Sequence, residues 1–248
     1  MGREWEQDDE AEVDATPEQV WDAIATGPGY DAWFMGHTEV VPGEGGTVRT
    51  DLGGYAMEST TTAWEPLRRF AYRGEETPDG RFIAFEFLIE GREQGSTALR
   101  VVTNGFLPGD DWESEYDAMR KGGAMYFATL VAYLTHFAGR RATPITVAAP
   151  VVPDTRAVFD RVPAALGLAP EPVLGDRSRV TPQGLPRIDG VVDFVSPDAI
   201  GIRTQDALYR FIRGFRGPMI VTHHVFAEGV DQQDTEQRWR AWLASLSA

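Results

Sequence analysis

Two segments of this chain close its two halves in the same way. In each, an apolar strand end, at Phe106 or Phe226, runs into a glycine and an aspartate, and a helix with apolar residues every three to four positions follows. Two related units, each ending in a helix, are the simplest explanation of such a repeat. With 248 residues, 42% of them apolar, the chain can supply a core for both. We therefore predict domains at 1–141 and 144–248, joined by the small, uncharged stretch 142–150.

A single domain, in which the second half completes the sheet of the first, is the alternative. We expect two cores because both halves are comparably apolar.

Charge and composition exclude several classes of protein. The first 143 residues hold 26 acidic against 12 basic side chains, and the remainder hold 12 against 11. Such an acidic first half repels phosphate backbones, so no nucleic-acid partner is expected. A basic stripe in the second half, Arg203, Arg210, Arg213 and Arg216, leaves that alternative open, although a solvated strand face is the simpler interpretation. No apolar run reaches the roughly 20 residues of a membrane span, and the N-terminus is acidic, which predicts a cytoplasmic protein. The chain has no cysteine, which excludes disulfides and thiol nucleophiles.

The first half reads as strands enclosed by helices. Residues 4–14 alternate as an edge strand, and Thr16-Pro17-Glu18-Gln19 is a capping box that starts a helix, which Gly27-Pro28-Gly29 should stop. Glycine-punctuated hairpins follow, and 81–90 place alternate residues on one apolar face. A long helix with one apolar side is predicted from 111–138.

The second half repeats this order in shorter form. A strand near 143–150 is followed by a short helix, then by several strand-like pieces. The closing helix is predicted over 234–246 and is about half as long as its counterpart. Its tryptophans, Trp239 and Trp242, share one side with two leucines. This indicates a second, abbreviated unit.

Together, these patterns resemble a known superfamily. The residues that carry the resemblance are Pro17, Val20, Trp21, Trp33, Phe34, Gly54, Glu58, Trp64, Pro66, Arg69, Phe70, Tyr72, Phe85, Gly95 and Thr97, within residues 5–140. They are similar to the SRPBCC superfamily, the START or Bet v 1-like helix-grip proteins, and most similar to its branch of activators of heat-shock protein 90 ATPase. The resemblance implies an α+β fold, a curved antiparallel sheet around a long C-terminal helix, followed by an abbreviated unit of similar topology.

The helix-grip resemblance also implies a cavity between sheet and helix, and such cavities bind ligands. The candidate wall residues are the large apolar side chains of the first unit: Trp33, Phe34, Tyr55, Met57, Phe70, Tyr72, Phe85, Phe87, Trp112, Tyr116, Met119 and Phe127. For any one of them, ordinary core packing is the simpler interpretation, because aromatic residues are the usual core filler.

Histidines offer little sign of catalysis. His37 lies close to Asp31 and Glu39 and is a weak candidate for a general acid or base, although an exposed loop histidine is the simpler interpretation. His223 and His224 are adjacent in a strand and point to opposite faces, so they do not readily share a metal. We expect one of the pair inside and one in solvent. No metal site and no cofactor are predicted.

Three functions are compatible with these observations. The first is a non-catalytic protein that holds a hydrophobic small molecule or lipid-like metabolite in the cavity of the first unit. The second, from the same resemblance, is a co-chaperone-like module whose acidic surface docks on a chaperone or other protein. The third is a cyclase or aromatase-like enzyme, with His37, Tyr72, Arg73 or Trp112 assisting proton transfer.

Overall fold

The computed structural model of the protein describes residues 2–92 and 95–247, and the chain divides into two compact units, Met1–Arg141 and Ala142–Ala248. Each unit is an antiparallel sheet closed by a helix at its C-terminal end. The predicted α+β helix-grip architecture with an abbreviated second unit is confirmed.

Over its described residues, 2–92 and 95–141, the first unit has seven strands and three helices. They are β1 (Arg3–Val13), α1 (Pro17–Ala25), α2 (Gly27–Tyr30), β2 (His37–Val40), β3 (Thr47–Asp51), β4 (Ala56–Glu65), β5 (Arg69–Gly74), β6 (Phe82–Gly91), β7 (Thr97–Leu107) and α3 (Trp112–His136). The strand order is β1-β7-β6-β5-β4-β3-β2, so the first strand joins the last strand of a meander. Helix α3, 25 residues long, packs against β1, β7 and α1.

Local sequence explains how α1 begins. The Thr16 hydroxyl accepts the backbone N–H of Gln19, and the Gln19 side chain accepts the backbone N–H of Thr16. This is the predicted capping box, with Pro17 at the first helical position. Val20 and Ile24 are fully buried, and Trp21 packs edge-on against Trp64 at 5.1 Å between ring centroids. Helix α1 therefore closes one end of the sheet's inner face.

The stretch Gly27-Pro28-Gly29 is predicted only to end the first helix, but it has a second role. It begins the short helix α2, because the Thr26 hydroxyl accepts the backbone N–H of Gly29 and Pro28 fits the first turn. A β-carbon on Gly29 would lie 1.9 Å from the carbonyl oxygen of Asp22, so glycine permits the tight junction with α1. The junction presents Tyr30, Trp33 and Phe34 to the interior.

The second unit repeats the plan with one strand fewer. Its elements are β8 (Thr143–Ala148), α4 (Thr155–Phe159), α5 (Val162–Ala165), β9 (Arg177–Val180), β10 (Ile188–Ser196), β11 (Ala199–Arg203), β12 (Ala207–Arg213), β13 (Met219–Val225) and α6 (Gln232–Ser247). The sheet order is β8-β13-β12-β11-β10-β9. Helix α6 has 16 residues, and its predicted apolar side, Trp239, Trp242, Leu243 and Leu246, is buried in the core of this unit.

Three predictions for this unit are wrong. Arg210, expected on a solvated strand face, is 1% exposed, because its guanidinium is paired with Asp193. Most of the stretch 142–150 is not a linker, because Thr143–Ala148 form strand β8 and pair with β13. His223 and His224 are both fully buried, so neither faces solvent as expected. His223 packs against Trp239, with ring centroids 4.2 Å apart, and its Nδ1 accepts the backbone N–H of Arg210 at 3.1 Å.

Candidate functional site

The inner face of the first sheet is built in rows of cross-strand neighbours. One row pairs Phe70 with Phe87 and Phe87 with Val101, and the next pairs Tyr72 with Phe85. Phe70 and Phe87 are 0% and 2% exposed, whereas Phe85 is half-buried. Strand β6 has a neighbour on each side, so the side chain of Phe85 is partly exposed above the sheet and not at a sheet edge. The candidate site therefore lies over Phe85.

Aromatic rings from the helices complete the wall of this site. Tyr126 of α3 and Phe34, which follows α2, lie 4.7 Å apart between ring centroids. Phe34 also contacts Trp33 at 5.4 Å, and Tyr72 contacts Phe85 at 5.2 Å. Offset and edge-on arrangements at such distances are favourable for aromatic pairs. The wall therefore presents flat apolar ring surfaces.

Two tyrosine hydroxyls meet within this wall. The Tyr30 hydroxyl donates to the Tyr72 hydroxyl at 2.9 Å, and both side chains are buried. Burial raises the pKa of both phenols well above the ordinary value, so both stay neutral at physiological pH. Because Tyr72 accepts this bond, its own hydroxyl hydrogen is still available to donate.

Further hydroxyls at the wall have no partner. Thr61 lies opposite Tyr72 in register and so shares the inner face with it. The Thr61 and Tyr126 hydroxyls are buried and make no hydrogen bond within residues 2–92 and 95–247. Burial also raises the pKa of Tyr126, which keeps this phenol neutral. An unpaired buried hydroxyl costs about 1–3 kcal/mol, so these atoms mark places where a polar group could bind.

A second aromatic cluster surrounds the beginning of α3. Trp5 of β1 contacts Tyr116 at 5.7 Å, and Tyr116 contacts Trp112 at 6.3 Å. The Arg3 guanidinium lies 5.1 Å from the centre of the Trp112 ring. Trp112 and Tyr116 are half-buried, in contrast to the closed end at α1. This cluster borders the more accessible end of the inner face.

The predicted wall residues divide by exposure. Trp33, Phe70, Tyr72 and Phe87 are buried, while Phe34, Met57, Phe85, Trp112, Tyr116, Met119 and Phe127 are half-buried. Trp33 also has a structural bond, since its indole N–H donates to the carbonyl of Ala23 at 2.9 Å. Tyr55 is 68% exposed in the turn between β3 and β4. The structure thus places Tyr55 outside the wall, because the turn carries it past the end of both strands.

His37 lies apart from this wall. Its Nδ1 is 2.8 Å from Asp31 Oδ2, and Asp31 Oδ1 accepts the backbone N–H of Thr38 at 2.9 Å. Burial raises the pKa of Asp31, and the bonds from Thr38 and His37 oppose that rise. The buried residue at the beginning of β2 is Thr38, whereas the His37 side chain is 59% exposed on the other face. The pair braces the connection between α2 and β2.

Sequence reasoning missed Tyr30, Thr61 and Tyr126 as site residues. Thr61 is hidden in a run of three threonines, where alternation cannot distinguish the buried residue from its exposed neighbours. Tyr126 was recognisable only as part of the apolar side of α3. A tyrosine on the apolar side of a helix brings a hydroxyl into the interior, where it needs a hydrogen-bond partner, and this signal could have identified Tyr126.

Across the described ranges, no group of three or more His, Asp or Glu side chains is arranged to hold a metal ion. Over the same ranges, no helix is both long and apolar enough to cross a membrane.

Comparisons with known proteins bear on the first unit in particular. A family model described as polyketide cyclase / dehydrase and lipid transport matches residues 5–132, about half of the chain. No curated protein matched the sequence. Among solved structures, protein MLL2253 from Mesorhizobium loti is 21% identical, with a TM-score of 0.46, over 52% of this chain and 96% of that one.

Two other solved structures are similar. The Aha1 dimer from Colwellia psychrerythraea is 18% identical, with a TM-score of 0.44, over 52% of this chain and 96% of that chain. The di-domain ARO/CYC BexL from the BE-7585A biosynthetic pathway is 14% identical, with a TM-score of 0.46, over 98% of this chain and 95% of that chain.

Proposed function

The chain belongs to the polyketide cyclase / dehydrase and lipid transport family, an SRPBCC-type family, and from this premise we propose that its first unit binds a hydrophobic, oxygen-bearing small molecule without transforming it. The observation that carries the proposal is a pair of hydroxyls on an aromatic wall, those of Thr61 and Tyr126, that have no partner among the residues that the structure describes. A purely hydrocarbon ligand would leave both unsatisfied. An aromatic ligand with hydroxyl or carbonyl substituents would stack on the rings and bond to the hydroxyls.

The protonation state of the wall supports binding over catalysis. Three of its phenols, Tyr30, Tyr72 and Tyr126, have a raised pKa, so they donate hydrogen bonds but do not readily release a proton. General acid–base catalysis works best with a pKa near the operating pH. His37, the weak catalytic candidate, lies on the other face of the sheet's edge strand.

Calorimetry with a matched set of ligands tests this proposal. We expect 1,2-dihydroxyanthraquinone to bind more tightly than anthracene, which has the same three-ring shape without oxygens. Tyr126→Phe should weaken dihydroxyanthraquinone by about tenfold, the equivalent of one hydrogen bond, and leave anthracene unaffected. If the protein binds neither compound, nor palmitate as a lipid-like probe, the proposal is wrong.

Tyr133→Phe is the matched control on the same helix. The Tyr133 hydroxyl donates to the carbonyl of Arg140 at 3.2 Å, whereas the Tyr126 hydroxyl has no partner in the part of the chain described. Tyr133→Phe should therefore lower the free energy of unfolding by about 1 kcal/mol without affecting ligand binding. Tyr126→Phe should not destabilise the free protein, so a loss of binding in that variant cannot be due to misfolding.

A cyclase-type enzyme is the second candidate, and the Tyr30–Tyr72 hydroxyl pair favours it. The Tyr72 hydrogen could stabilise a carbonyl oxygen during ring closure. Incubation with a linear poly-β-carbonyl compound, followed by mass spectrometry, would reveal cyclisation with dehydration as loss of water, which Tyr72→Phe should slow. Recovery of the unchanged compound supports a carrier.

Docking on a chaperone stays a prediction, to be tested by pull-down.

A further inference from the structure

A groove on the second unit's sheet carries two arginines on one face. Arg177 of β9 lies opposite Val191 of β10, and Val191 lies opposite Arg203 of β11. Directly opposed residues in antiparallel strands point to the same side, so both arginine side chains flank the smaller Val191. The groove has a volume of about 330 Å³ and is also lined by Asp189, Gly190, Thr204 and Gln205.

Neither arginine is committed to an ion pair. Arg177 and Arg203 have no carboxylate within 4.0 Å over residues 2–92 and 95–247, whereas the neighbouring arginines do. The one acidic residue of the groove, Asp189, is 2.8 Å from Arg187 and 3.6 Å from Arg179. Its negative charge is thus compensated by arginines outside the groove, which leaves the groove positive.

A groove on the first unit shows the contrast. It has a volume of about 470 Å³ and its lining includes Arg68, Arg69 and Arg100, with three glutamates. Arg69 donates to Glu86 at 2.6 Å, and Arg100 forms a two-pronged pair with Asp8. Because three arginines face three glutamates in the lining, and two of the arginines are also paired with carboxylates outside it, this groove offers no comparable attraction to an anion.

The backbone around the second groove is closely packed. A β-carbon on Gly190 would lie 2.6 Å from the carbonyl oxygen of Arg203 and 2.8 Å from Ile202 Cγ2. Only glycine allows β10 to approach the end of β11 so closely. Thr204 is buried next to Arg203, and its backbone N–H donates to the carbonyl of Ala207 at 2.9 Å. The strand that carries Arg203 is consequently held firmly where it leaves the sheet.

From this arrangement we propose that Arg177 and Arg203 form an oxyanion site for a phosphate group carried by a small molecule. Planar guanidinium groups match phosphate oxygens with paired hydrogen bonds, and the groove has room for the group and part of the molecule that carries it. The site is independent of the aromatic wall of the first unit, so it does not rest on the function proposed there.

Calorimetric titration with pyrophosphate at constant ionic strength tests the site. We expect saturable binding to the full chain, weakened about tenfold or more by Arg177→Ala and by Arg203→Ala. Arg240→Ala, on an exposed position of α6, removes the same charge elsewhere and should change affinity by less than twofold. Circular dichroism confirms that each variant is folded.

Three results would overturn the proposal. If pyrophosphate does not bind saturably, the proposed site does not exist. If all three variants lose the same pyrophosphate affinity, only the net charge of the protein matters. Titration with citrate tests whether the site prefers carboxylates to phosphate. If citrate binds more tightly than pyrophosphate with the same dependence on Arg177 and Arg203, the site is not one for phosphate.

Discussion

At the scale of single residues, both units bury polar groups that have no hydrogen-bond partner among the described residues, including Thr222 Oγ1 and His223 Nε2 in the second. In the first unit, Thr61 and Tyr126 carry unpaired hydroxyls on an aromatic wall. In the second, the buried polar groups include an ion pair and a histidine packed against a tryptophan. An unpaired buried group costs stability, whereas a paired one helps to fix a core.

His223 makes stability depend on pH. Burial, then the neighbouring His224 and Arg210, holds the pKa of His223 well below its usual value, so the folded protein keeps this ring neutral. The unfolded chain binds a proton below about pH 6.5. The unfolded state thus binds more protons, and the free energy of unfolding should fall as the pH decreases from 7.5 to 5.5, by up to about 1.4 kcal/mol per pH unit below 6.5.

Denaturant unfolding of His223→Gln checks this prediction, because Gln can accept the Arg210 N–H but does not titrate. The variant should lose that part of the pH dependence, and His136→Gln, at an exposed site, should keep it. An unchanged profile in His223→Gln would show that other groups cause the dependence.

The ion pair between Arg210 and Asp193 should be essential for stability. Arg210 is 1% exposed and donates to both carboxylate oxygens of Asp193, at 3.0 and 2.9 Å. Asp193→Ala removes the carboxylate that compensates the charge of a buried guanidinium and should lower the free energy of unfolding by about 3–5 kcal/mol. Asp189→Ala removes an exposed pair on the same strand and should change it by about 1 kcal/mol or less. Equal effects on the denaturation midpoint would contradict this assignment.

At the scale of elements, two adjacent glycines of α3 are in different surroundings. A β-carbon on Gly122 would meet no atom within 4 Å, whereas one on Gly123 would lie 3.2 Å from Gln7 Oε1. Glycine inside a helix costs about 1 kcal/mol relative to alanine. Gly122→Ala should therefore raise the free energy of unfolding by about 0.5–1 kcal/mol.

Gly123→Ala should raise the free energy of unfolding less than Gly122→Ala does, or lower it. The reason is that α3 approaches β1 at Gln7, so the added methyl group meets the Gln7 side chain. Thermal unfolding of both variants, and of Gly123→Ala with Gln7→Ala, separates helix propensity from this contact. The double variant should recover the gain seen in Gly122→Ala. If Gly123→Ala stabilises as much as Gly122→Ala, the helix does not need glycine there.

Most helices and strands could be predicted from the periodicity of their apolar residues. How these elements pack, and which side chains line the candidate site, could not. The capping box before α1 and the buried side of α6 follow from local sequence, because hydrogen bonding and amphipathic spacing act within one turn. The residues of strand β8 are predicted both as a strand and as part of a linker, because the stretch is small and uncharged, although Ile145 and Val147 alternate on its buried face. In the site, aromatic types predicted wall positions, but Tyr55 illustrates that residue type alone cannot distinguish a wall from a turn.

At the scale of the whole molecule, the two units differ in structure and in charge. The first has seven strands and a 25-residue closing helix, and the second has six strands and a 16-residue one. The first 143 residues carry a net charge of −14 and the remainder −1. An anion site is thus more compatible with the second unit, where long-range repulsion is weaker.

These differences predict that the two binding activities separate when the chain is divided after Arg141. The core of the second unit is formed by its own residues, from Ile145 on β8 to Leu246 on α6, so the segment 142–248 should unfold cooperatively by itself. The segment 1–141 should retain dihydroxyanthraquinone binding and 142–248 pyrophosphate binding, as measured by calorimetry on each. A site contained within one folded unit makes all its ligand contacts with residues of that unit. If either ligand binds only to the undivided chain, its site therefore depends on both units, and the prediction is wrong.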